Sequence, residues 1–450
     1  MKKFLSILLA ACLTLSMTAC GGSTPAPSPA APASPVSPAS PESSAAPAAP
    51  AVPTEPITIK FANYAILESG YTSFWEGVKK GFEEKYPNIT VEYVTAPYGE
   101  IVNQVINMAG GGDKVDLIFG EIGWIPTLED AGLTVPVTDV LSAEFLSDFY
   151  PQQLEACSIG GKPYALPMYV SPFMLYYNKD LFKAAGLDPE NPPKTYDEML
   201  VAAEALSKLK SADGNKVYGF GQTTASVAVS GSALTSMVYN FGGEVLDKDG
   251  KLHTNTPEFK AAFEMLKTLD EKGYNPQNAK LKDLRNLFAL GQLGMYYDQS
   301  WGFNGVSAIN PEAKNFTASA APLAGGSGKG NSILQAHILA FMDNGDKQKQ
   351  AVSLFTEYLV SEAVLADYIV NTTPAYPARK SMAGMTAIQN SAVLKGATNS
   401  VESTVASPFI PALGQLNLEL CTLAQSVTVG KKSFDEAYTV FEKAASALIG

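Results

Sequence analysis

The sequence is poor in the residues that most often build metal and catalytic sites. It has two histidines, His253 and His337, and neither belongs to a cluster with metal-ligand spacing. A zinc or iron site is therefore not predicted. The four cysteines show no paired spacing, so the sequence predicts no disulfide framework either.

Positive charge is also scarce. The chain has 32 Lys and Arg against 44 Asp and Glu, a formal net charge of -12, which argues against nucleic acid or anionic lipid as the partner. Arg285 and Arg379 are the only arginines, so a phosphorylated ligand would have few partners. With 450 residues, of which 46% are hydrophobic, the chain can bury a large core and hold two or more domains.

Common enzyme signatures are absent as well. The sequence contains no H-E-x-x-H and no G-x-S-x-G motif. The glycine-rich loop Gly325–Gly330 lacks the spacing of a phosphate-binding P-loop, because Lys329 is followed by Gly330 instead of serine or threonine. We therefore expect a protein that is not an enzyme.

Residues 1–20 have the pattern of an export signal. Lys2 and Lys3 precede an apolar run from Phe4 to Met17, which is too short to span a membrane. The residues before Cys20 resemble a lipobox, so we expect cleavage there and lipidation of Cys20. Cys12 also fits a lipobox, but it would leave only a stub of apolar core, and Cys20 is favoured.

Residues 21–56 consist almost entirely of Gly, Ser, Thr, Pro and Ala. Such a segment cannot bury apolar surface, and its composition predicts an extended, disordered tether. A lipid followed by a tether would keep the folded part at the outer face of a membrane.

The folded part begins with an alternation of strands and helices. The sequence predicts strands at Ile57–Ala62, Ile89–Val94 and Val115–Phe119. It also predicts two amphipathic helices, one capped by Thr72 and one over Glu100–Met108. This order is typical of a parallel sheet covered by helices.

Several helix ends can be assigned from capping residues. Asn178 is expected to cap one helix, which Gly186 would end in a left-handed turn. Thr195 and Glu198 have the spacing of a capping box, and Thr256 precedes a proline suited to the first helical position.

An ordered set of motifs lies between Gly161 and Leu206. Gly161–Pro167 reads GKPYALP, Tyr176–Phe182 reads YYNKDLF, and Pro192–Leu200 reads PPKTYDEML. Together, in this order, they resemble the family 1 extracellular solute-binding proteins of ABC importers, the sugar-binding group. The resemblance extends from residue 57 to the C-terminus.

This resemblance implies an α/β, two-lobed periplasmic-binding-protein-like fold (type II). Each lobe would be a mixed sheet covered by helices, with a ligand cleft between the lobes. Lobe one is expected to comprise residues 57–169 and 325–378, and lobe two residues 170–320 and 382–450.

The implied function is the substrate-binding component of an ABC transporter, lipid-anchored at the extracellular face of the cell membrane. It would capture a mono- or oligosaccharide by lobe closure and deliver it to the permease transmembrane subunits, as a monomer and without a cofactor. A sugar alcohol or a glycerol phosphodiester is the alternative ligand. A surface-anchored glycoside-acting enzyme and a structural or adhesive lipoprotein are less favoured alternatives.

Candidate ligand residues follow from the rule that open α/β sheets bind ligands at the carboxyl ends of their strands. Tyr64 and Glu68 follow the first strand, and Glu121 and Trp124 follow the third. Rings can stack on the CH faces of a sugar, and carboxylates can accept hydrogen bonds from its hydroxyl groups. Solvated loop charges and a ring that packs the rim are the alternatives for these positions.

The remaining candidates lie at the crossing between lobes and in lobe two. They are Tyr169, Ser171, Ser230, Ser232, Asp298, Trp301 and Asn417. Trp301 lies in a segment similar to the family's cleft aromatic, although a core position is the alternative. Asn417 stands where the family commonly carries an aromatic residue, which leaves open whether a second stacking ring exists.

Overall fold

The computed structural model describes residues 52–449 apart from Ser69, Ser327 and residues 407–409. The predicted signal peptide, the lipidation site Cys20 and nearly all of the predicted tether lie outside the described residues. Within the described ranges, no helix is both long and apolar enough to cross a bilayer.

The strands of the described chain are mostly short, and those that carry the site are buried. In chain order they are β1 Ile57–Asn63, β2 Ile89–Val94, β3 Leu117–Glu121, β4 Thr134–Val135, β5 Ser158–Ile159, β6 Lys162–Pro163, β7 Ala165–Val170, β8 Phe173–Asn178, β9 Tyr218–Gly221, β10 Leu293–Gln299, β11 Thr317–Ala320, β12 Ser332–Ile333, β13 Ala336–Met342, β14 Tyr376–Pro377 and β15 Thr404–Val405.

Most of these strands form two mixed sheets. The seven-stranded sheet has the order β14-β7-β13-β3-β1-β2, with β4 paired to β13, and the four-stranded sheet has the order β11-β8-β10-β9. β1 pairs in parallel with β2 and β3, which confirms the parallel start predicted from the sequence. β13 runs antiparallel between β3 and β7.

Helices cover both sheets. In chain order they are α1 Thr72–Lys85, α2 Ile101–Gly110, α3 Ile125–Asp130, α4 Ala143–Leu146, α5 Pro151–Ala156, α6 Lys179–Ala184, α7 Tyr196–Leu206, α8 Ala228–Asn240, α9 Pro257–Glu271, α10 Leu281–Ala289, α11 Gly302–Ile309, α12 Ala313–Phe316, α13 Asp346–Leu359, α14 Glu362–Asn371, α15 Thr386–Asn390, α16 Leu413–Val427 and α17 Phe434–Ile449. We call the seven-stranded sheet with α1–α5, α13 and α14 the seven-stranded half. The four-stranded sheet with α6–α12 and α15–α17 is the four-stranded half.

The predicted helix caps are confirmed with one exception. The Asn178 side chain accepts from the amides of Asp180 and Leu181, and Thr195 forms a capping box with Glu198. Thr72, by contrast, is the first helical residue, and its hydroxyl donates to the Ile66 carbonyl at 2.8 Å instead of capping α1.

Three segments connect the two sheets. Ser171 and Pro172 join β7 to β8, residues 321–335 join β11 to β13, and the chain leaves the seven-stranded sheet again after β14. The third segment is pinned by Arg379, whose Nε donates to an Asp148 oxygen at 2.7 Å. The carboxyl ends of β1, β3 and β7 therefore lie at the edge where the two halves meet.

Candidate ligand-binding site

Ser171 ties the first crossing segment to the end of β10. Its backbone amide donates to the Gln335 carbonyl at 2.8 Å, which joins the first two crossings. Its hydroxyl lies 2.7 Å from the Ser300 hydroxyl and accepts from the Trp301 amide at 3.4 Å. Since Ser171 is fully buried, its hydroxyl positions the backbone that carries Trp301.

Tyr64 is the centre of a group of rings at the end of β1. Its ring centroid lies 5.1 Å from that of Tyr98 and 5.7 Å from that of Trp124, in edge-to-face arrangements. The Tyr64 hydroxyl lies 2.8 Å from Nε2 of His337. Tyr64 is 8% exposed, and burial, followed by the charge of Glu121, raises the pKa of its hydroxyl.

His337 extends this group towards the other half. On β13, its ring stacks on Phe119 at 5.1 Å and on Tyr169 at 5.0 Å, and Trp301 meets it edge-on at 5.4 Å. We call Tyr64, Tyr98, Phe119, Trp124, Tyr169, Trp301 and His337 the aromatic cluster. Burial lowers the pKa of His337 to about 4, so the ring is neutral at neutral pH.

Trp301 is the member of the aromatic cluster that comes from the four-stranded half. It directly precedes α11 and is partly exposed. Its Nε1 donates to Oε1 of Gln299 at 3.1 Å, which fixes the plane of the indole. Rings from both halves thus meet in the aromatic cluster.

Glu121 supplies a carboxylate beside these rings. It lies opposite His337 in the register of β3 and β13, and the Tyr98 hydroxyl donates to its Oε2 at 2.9 Å. Burial raises the pKa of Glu121, against the effect of the Tyr98 hydrogen bond. The carboxylate can accept further hydrogen bonds from a ligand hydroxyl.

Gly120 explains how Trp124 reaches this position. A Cβ atom at Gly120 would lie 2.3 Å from Cε3 of Trp124, far inside van der Waals contact. The indole therefore packs directly on the backbone of β3, which no larger residue would allow.

The prediction that Asp298 faces the ligand is corrected by its hydrogen bonds. Arg285 donates to both carboxylate oxygens at 2.7 Å, and Tyr296 and the Gln299 amide donate at 3.1 and 2.8 Å. Asp298 is fully buried, and a Cβ at Gly302 would lie 2.4 Å from its oxygens. Its acceptor positions are occupied by the protein, so Asp298 is a structural residue.

The predicted serines and Asn417 lie where α8 meets α16. Ser230 is fully buried, 2.7 Å from the Thr223 hydroxyl. Ser232 accepts from Nδ2 of Asn417 at 3.4 Å. No hydrogen bond among the described residues joins this group to the aromatic cluster.

The other two predicted residues differ in exposure. Tyr169 is 3% exposed and accepts from the Tyr368 hydroxyl at 2.6 Å, so it forms the floor of the aromatic cluster. Glu68 is exposed at the rim, and its charge contributes to raising the pKa of Tyr64 and Tyr71.

His337 is the residue that sequence reasoning missed. The sequence marks it only as a histidine outside any metal-ligand cluster. Its strand is apolar apart from this residue, which is a signal that could have marked it, but its neighbours come from β3 and β7 through antiparallel pairing. Within the described residues, no three His, Cys, Asp or Glu side chains lie together as a metal-ligand set.

Comparisons with known proteins agree with this architecture. A family model described as "Bacterial extracellular solute-binding protein" matches residues 64–366. A protein of Brucella abortus (strain 2308) named as a binding protein is 26% identical over 361 residues, covering 80% of this chain and 85% of its own length. The sn-glycerol-3-phosphate-binding periplasmic protein of Agrobacterium fabrum is 29% identical over 269 residues, covering 56% of this chain and 59% of that protein.

Solved structures of similar fold include two sugar-binding proteins. The cyclic alpha-maltosyl-1,6-maltose binding protein of Arthrobacter globiformis superposes with a TM-score of 0.75 at 21% identity, over 88% of this chain and 99% of that one. An ABC transporter solute binding protein of Thermotoga lettingae, bound with alpha-D-tagatose, gives 0.69 at 25% identity, over 88% and 100%. The predicted two-lobed type II periplasmic-binding fold is thereby confirmed.

Proposed function

We propose that this chain, which belongs to the family of bacterial extracellular solute-binding proteins, captures a neutral sugar between its two halves for an ABC permease. The observation that carries this proposal is the aromatic cluster, in which Trp301 of the four-stranded half faces His337 of the seven-stranded half. A sugar held there would touch both halves, so it would stabilise the arrangement in which they are closed.

The chemistry of the aromatic cluster suits a sugar. Partly exposed rings of Trp124 and Trp301 offer apolar faces for CH groups, and the Glu121 carboxylate offers acceptors for paired hydroxyl groups. We propose Tyr64, Glu121, Trp124 and Trp301 as the main contacts. Ser232, Asn417 and Glu68 are proposed as outer contacts.

The arginines favour a neutral ligand over a phosphate ester, although several relatives are named as sn-glycerol-3-phosphate-binding proteins. The Arg285 guanidinium forms an ion pair with Asp298, and that of Arg379 forms an ion pair with Asp148. Neither guanidinium is free to form the bidentate contact that phosphate recognition commonly uses.

The carboxylates of the candidate site favour binding without catalysis. A glycosidase needs two carboxyl groups that flank the scissile bond. Asp298, the other carboxylate-bearing candidate near Trp301, is bound by Arg285 through both oxygens, so it is not available as a second carboxyl group beside Glu121. We propose that the sugar is released unchanged.

The membrane anchor belongs to this proposal on sequence grounds. Lys2, Lys3 and the apolar run before Cys20 predict a diacylated N-terminus, and residues 21–56 would act as the tether. Mass spectrometry of protein extracted from membranes should find the lipid on Cys20. Lipid on Cys12, or an unmodified N-terminus elsewhere, would contradict this assignment.

A thermal-shift screen tests the function. Neutral mono- and oligosaccharides, sugar alcohols and sn-glycerol 3-phosphate are compared at equal concentration with the purified folded chain. A ligand present at a thousand times its dissociation constant stabilises by about 4 kcal/mol, which gives a clear shift. We expect a neutral sugar to give the largest shift, recovered unchanged by chromatography. A shift with sn-glycerol 3-phosphate alone, or a new product, would contradict the proposal.

A further inference from the structure

The segment after β2 brings Tyr98 to the ligand edge of the seven-stranded sheet. β2 ends at Val94. In the turn that follows, the Pro97 carbonyl accepts from the amides of Glu100 and Ile101 at 2.8 and 3.1 Å. Because β2 and β3 both pair in parallel with β1, Tyr98 lies at the same carboxyl edge as the residues that follow those strands. Tyr98 is not among the residues predicted from the sequence to bind a ligand.

Two rings of the aromatic cluster hold the Tyr98 side chain in place. Its ring centroid lies 5.1 Å from that of Tyr64, which follows β1, and 5.3 Å from that of Trp124, which follows β3. Tyr98 is nevertheless 44% exposed, so it lies at the rim of the site and not in the core. In this position its hydroxyl donates to Oε2 of Glu121 at 2.9 Å.

Glu121 depends on this one hydrogen bond for its orientation. Within the described part of the chain, no other protein donor bonds to the Glu121 carboxylate, and no lysine or arginine pairs with it. Asp298 differs, because Arg285 and two further donors bind both of its oxygens. A glutamate side chain has several rotatable bonds, and a single fixed partner removes much of their freedom. The Tyr98 hydroxyl therefore decides where the Glu121 carboxylate lies.

We propose that Tyr98 is a positioning residue for sugar binding: its hydroxyl holds Oε2 of Glu121 and leaves the other oxygen, Oε1, available to a sugar hydroxyl. This inference rests on the proposed function, and it adds a residue that acts through Glu121. Without the Tyr98 hydroxyl, the carboxylate would have to be ordered at the moment of binding, which lowers the affinity.

The same hydrogen bond affects the protonation of Glu121. Burial raises the pKa of Glu121 and the Tyr98 hydrogen bond lowers it, so removal of the hydroxyl should raise this pKa further. Tyr64 and Tyr98 stay neutral at neutral pH, because burial raises the pKa of both. His337, opposite Glu121 in the strand register, has its pKa lowered to about 4, and Glu68 is exposed at the rim. A direct observation of the Glu121 carboxyl group separates its titration from theirs.

NMR of the sugar-free protein provides that observation. Tyr98→Phe keeps the ring and removes only the hydroxyl. With glutamate labelled at the carboxyl carbon, and the Glu121 signal identified by its loss in Glu121→Met, the pKa of Glu121 should be higher in Tyr98→Phe than in the wild type. Tyr438→Phe is the matched control, because on α17 it removes a hydroxyl that donates to Oε1 of Glu442 at 3.2 Å. This variant should leave the Glu121 titration unchanged.

Calorimetry then measures binding of the neutral sugar that gives the largest thermal shift, from about pH 5 to about pH 8. At neutral pH, Tyr98→Phe should weaken binding by about threefold to tenfold, the loss expected when one side chain must be ordered on binding. Its affinity should also begin to fall at a higher pH on acidification, whereas Tyr438→Phe should match the wild type. In a Glu121→Met background, Tyr98→Phe should have no further effect, because its hydroxyl acts through the carboxylate.

Three results would overturn the positioning role and leave the proposed function intact. They are an unchanged Glu121 titration in Tyr98→Phe, unchanged or tighter sugar binding by that variant, and an equal loss of affinity with and without the Glu121 carboxylate. The last result would mean that Tyr98 contacts the sugar directly. Failure of every neutral sugar to bind the wild-type protein would instead overturn the proposed function, and this role with it.

Discussion

The two halves of the protein contribute different kinds of side chain to the candidate ligand site. At the ends of β1, β3 and β13 the seven-stranded half presents rings and one carboxylate, with Tyr64, Trp124, His337 and Glu121 in mutual contact or direct register. The predicted polar residues of the four-stranded half instead bond to their own surroundings. Among the described residues, Trp301 is the one ring of that half that contacts a ring of the seven-stranded half.

The difference follows from where each residue lies in its element. Side chains that follow the carboxyl ends of parallel strands lie at one edge of the sheet, which is where open α/β sheets bind their ligands. Residues of a helix that packs against another helix are drawn into that contact. Gly231 illustrates the second case, because a Cβ there would lie 2.3 Å from the Asn417 carbonyl oxygen.

The largest expected effect comes from the buried ion pair of the four-stranded half. Asp298→Ala leaves the mostly buried Arg285 guanidinium without its partner, and should lower the free energy of unfolding by about 3 kcal/mol. The matched control is Asp435→Ala, which removes an exposed pair of the same 2.7 Å length with Lys260 and should cost at most about 1 kcal/mol. Urea unfolding of both variants measures the difference. Equal costs would contradict the structural role of Asp298.

Trp301 should show the opposite behaviour, because its ring serves the ligand. Trp301→Ala is expected to weaken sugar binding by roughly 2 kcal/mol, about thirtyfold, while the melting temperature without ligand changes little. Trp75 is the control, since it is fully buried under β1 and β3 and its change to alanine should cost about 3–5 kcal/mol of stability. If Trp301→Ala melts like Trp75→Ala and keeps its affinity, Trp301 is a core residue.

The sequence predicted the parallel sheet and the aromatic residues of the candidate site better than it predicted the polar residues of the site. The strand and helix periods of residues 57–119 were enough to predict a parallel sheet, and capping residues such as Asn178 and Thr195 fixed helix starts. Strand-end positions pointed to Tyr64 and Trp124, which the structure brings into contact.

What the sequence did not predict depends on long-range pairing. His337 follows Tyr64 by 273 residues and meets it only because β13 inserts between β3 and β7. Asp298 was misassigned because its partner Arg285 lies on α10, which packs beside β10 in a way that spacing alone does not specify. Whether a carboxylate forms an ion pair with a distant residue depends on tertiary packing. Its position at a strand end does not predict this.

The contribution of His337 to the aromatic cluster can be tested through the pH dependence of stability. Its pKa is lowered from 6.5 to about 4 by burial, so the unfolded chain binds a proton at a higher pH than the folded chain does. The stability that depends on the neutral ring is therefore complete above pH 6.5 and is lost as the pH falls towards 4. At pH 5 the loss should be about 1–2 kcal/mol. His337→Gln should remove this slope from a series of urea titrations, whereas an unchanged slope would assign it to other groups.

The smallest effects are expected on the polar side, and they decide whether Ser232 is an outer ligand contact. Ser230→Ala removes a buried hydroxyl 2.7 Å from Thr223 and should cost about 1 kcal/mol of stability without affecting binding. Ser232 is partly exposed, and its hydroxyl makes two long contacts of 3.4 Å, donating to the Ala228 carbonyl and accepting from Asn417, so Ser232→Ala should change stability by less than about 0.5 kcal/mol. If Ser232 also touches the sugar, the same variant should weaken binding by about threefold to tenfold, the loss expected for one hydrogen bond. Calorimetry on the two serine variants separates these roles. If neither variant changes the affinity, neither serine contacts the sugar, and the rings and Glu121 remain as the main contacts.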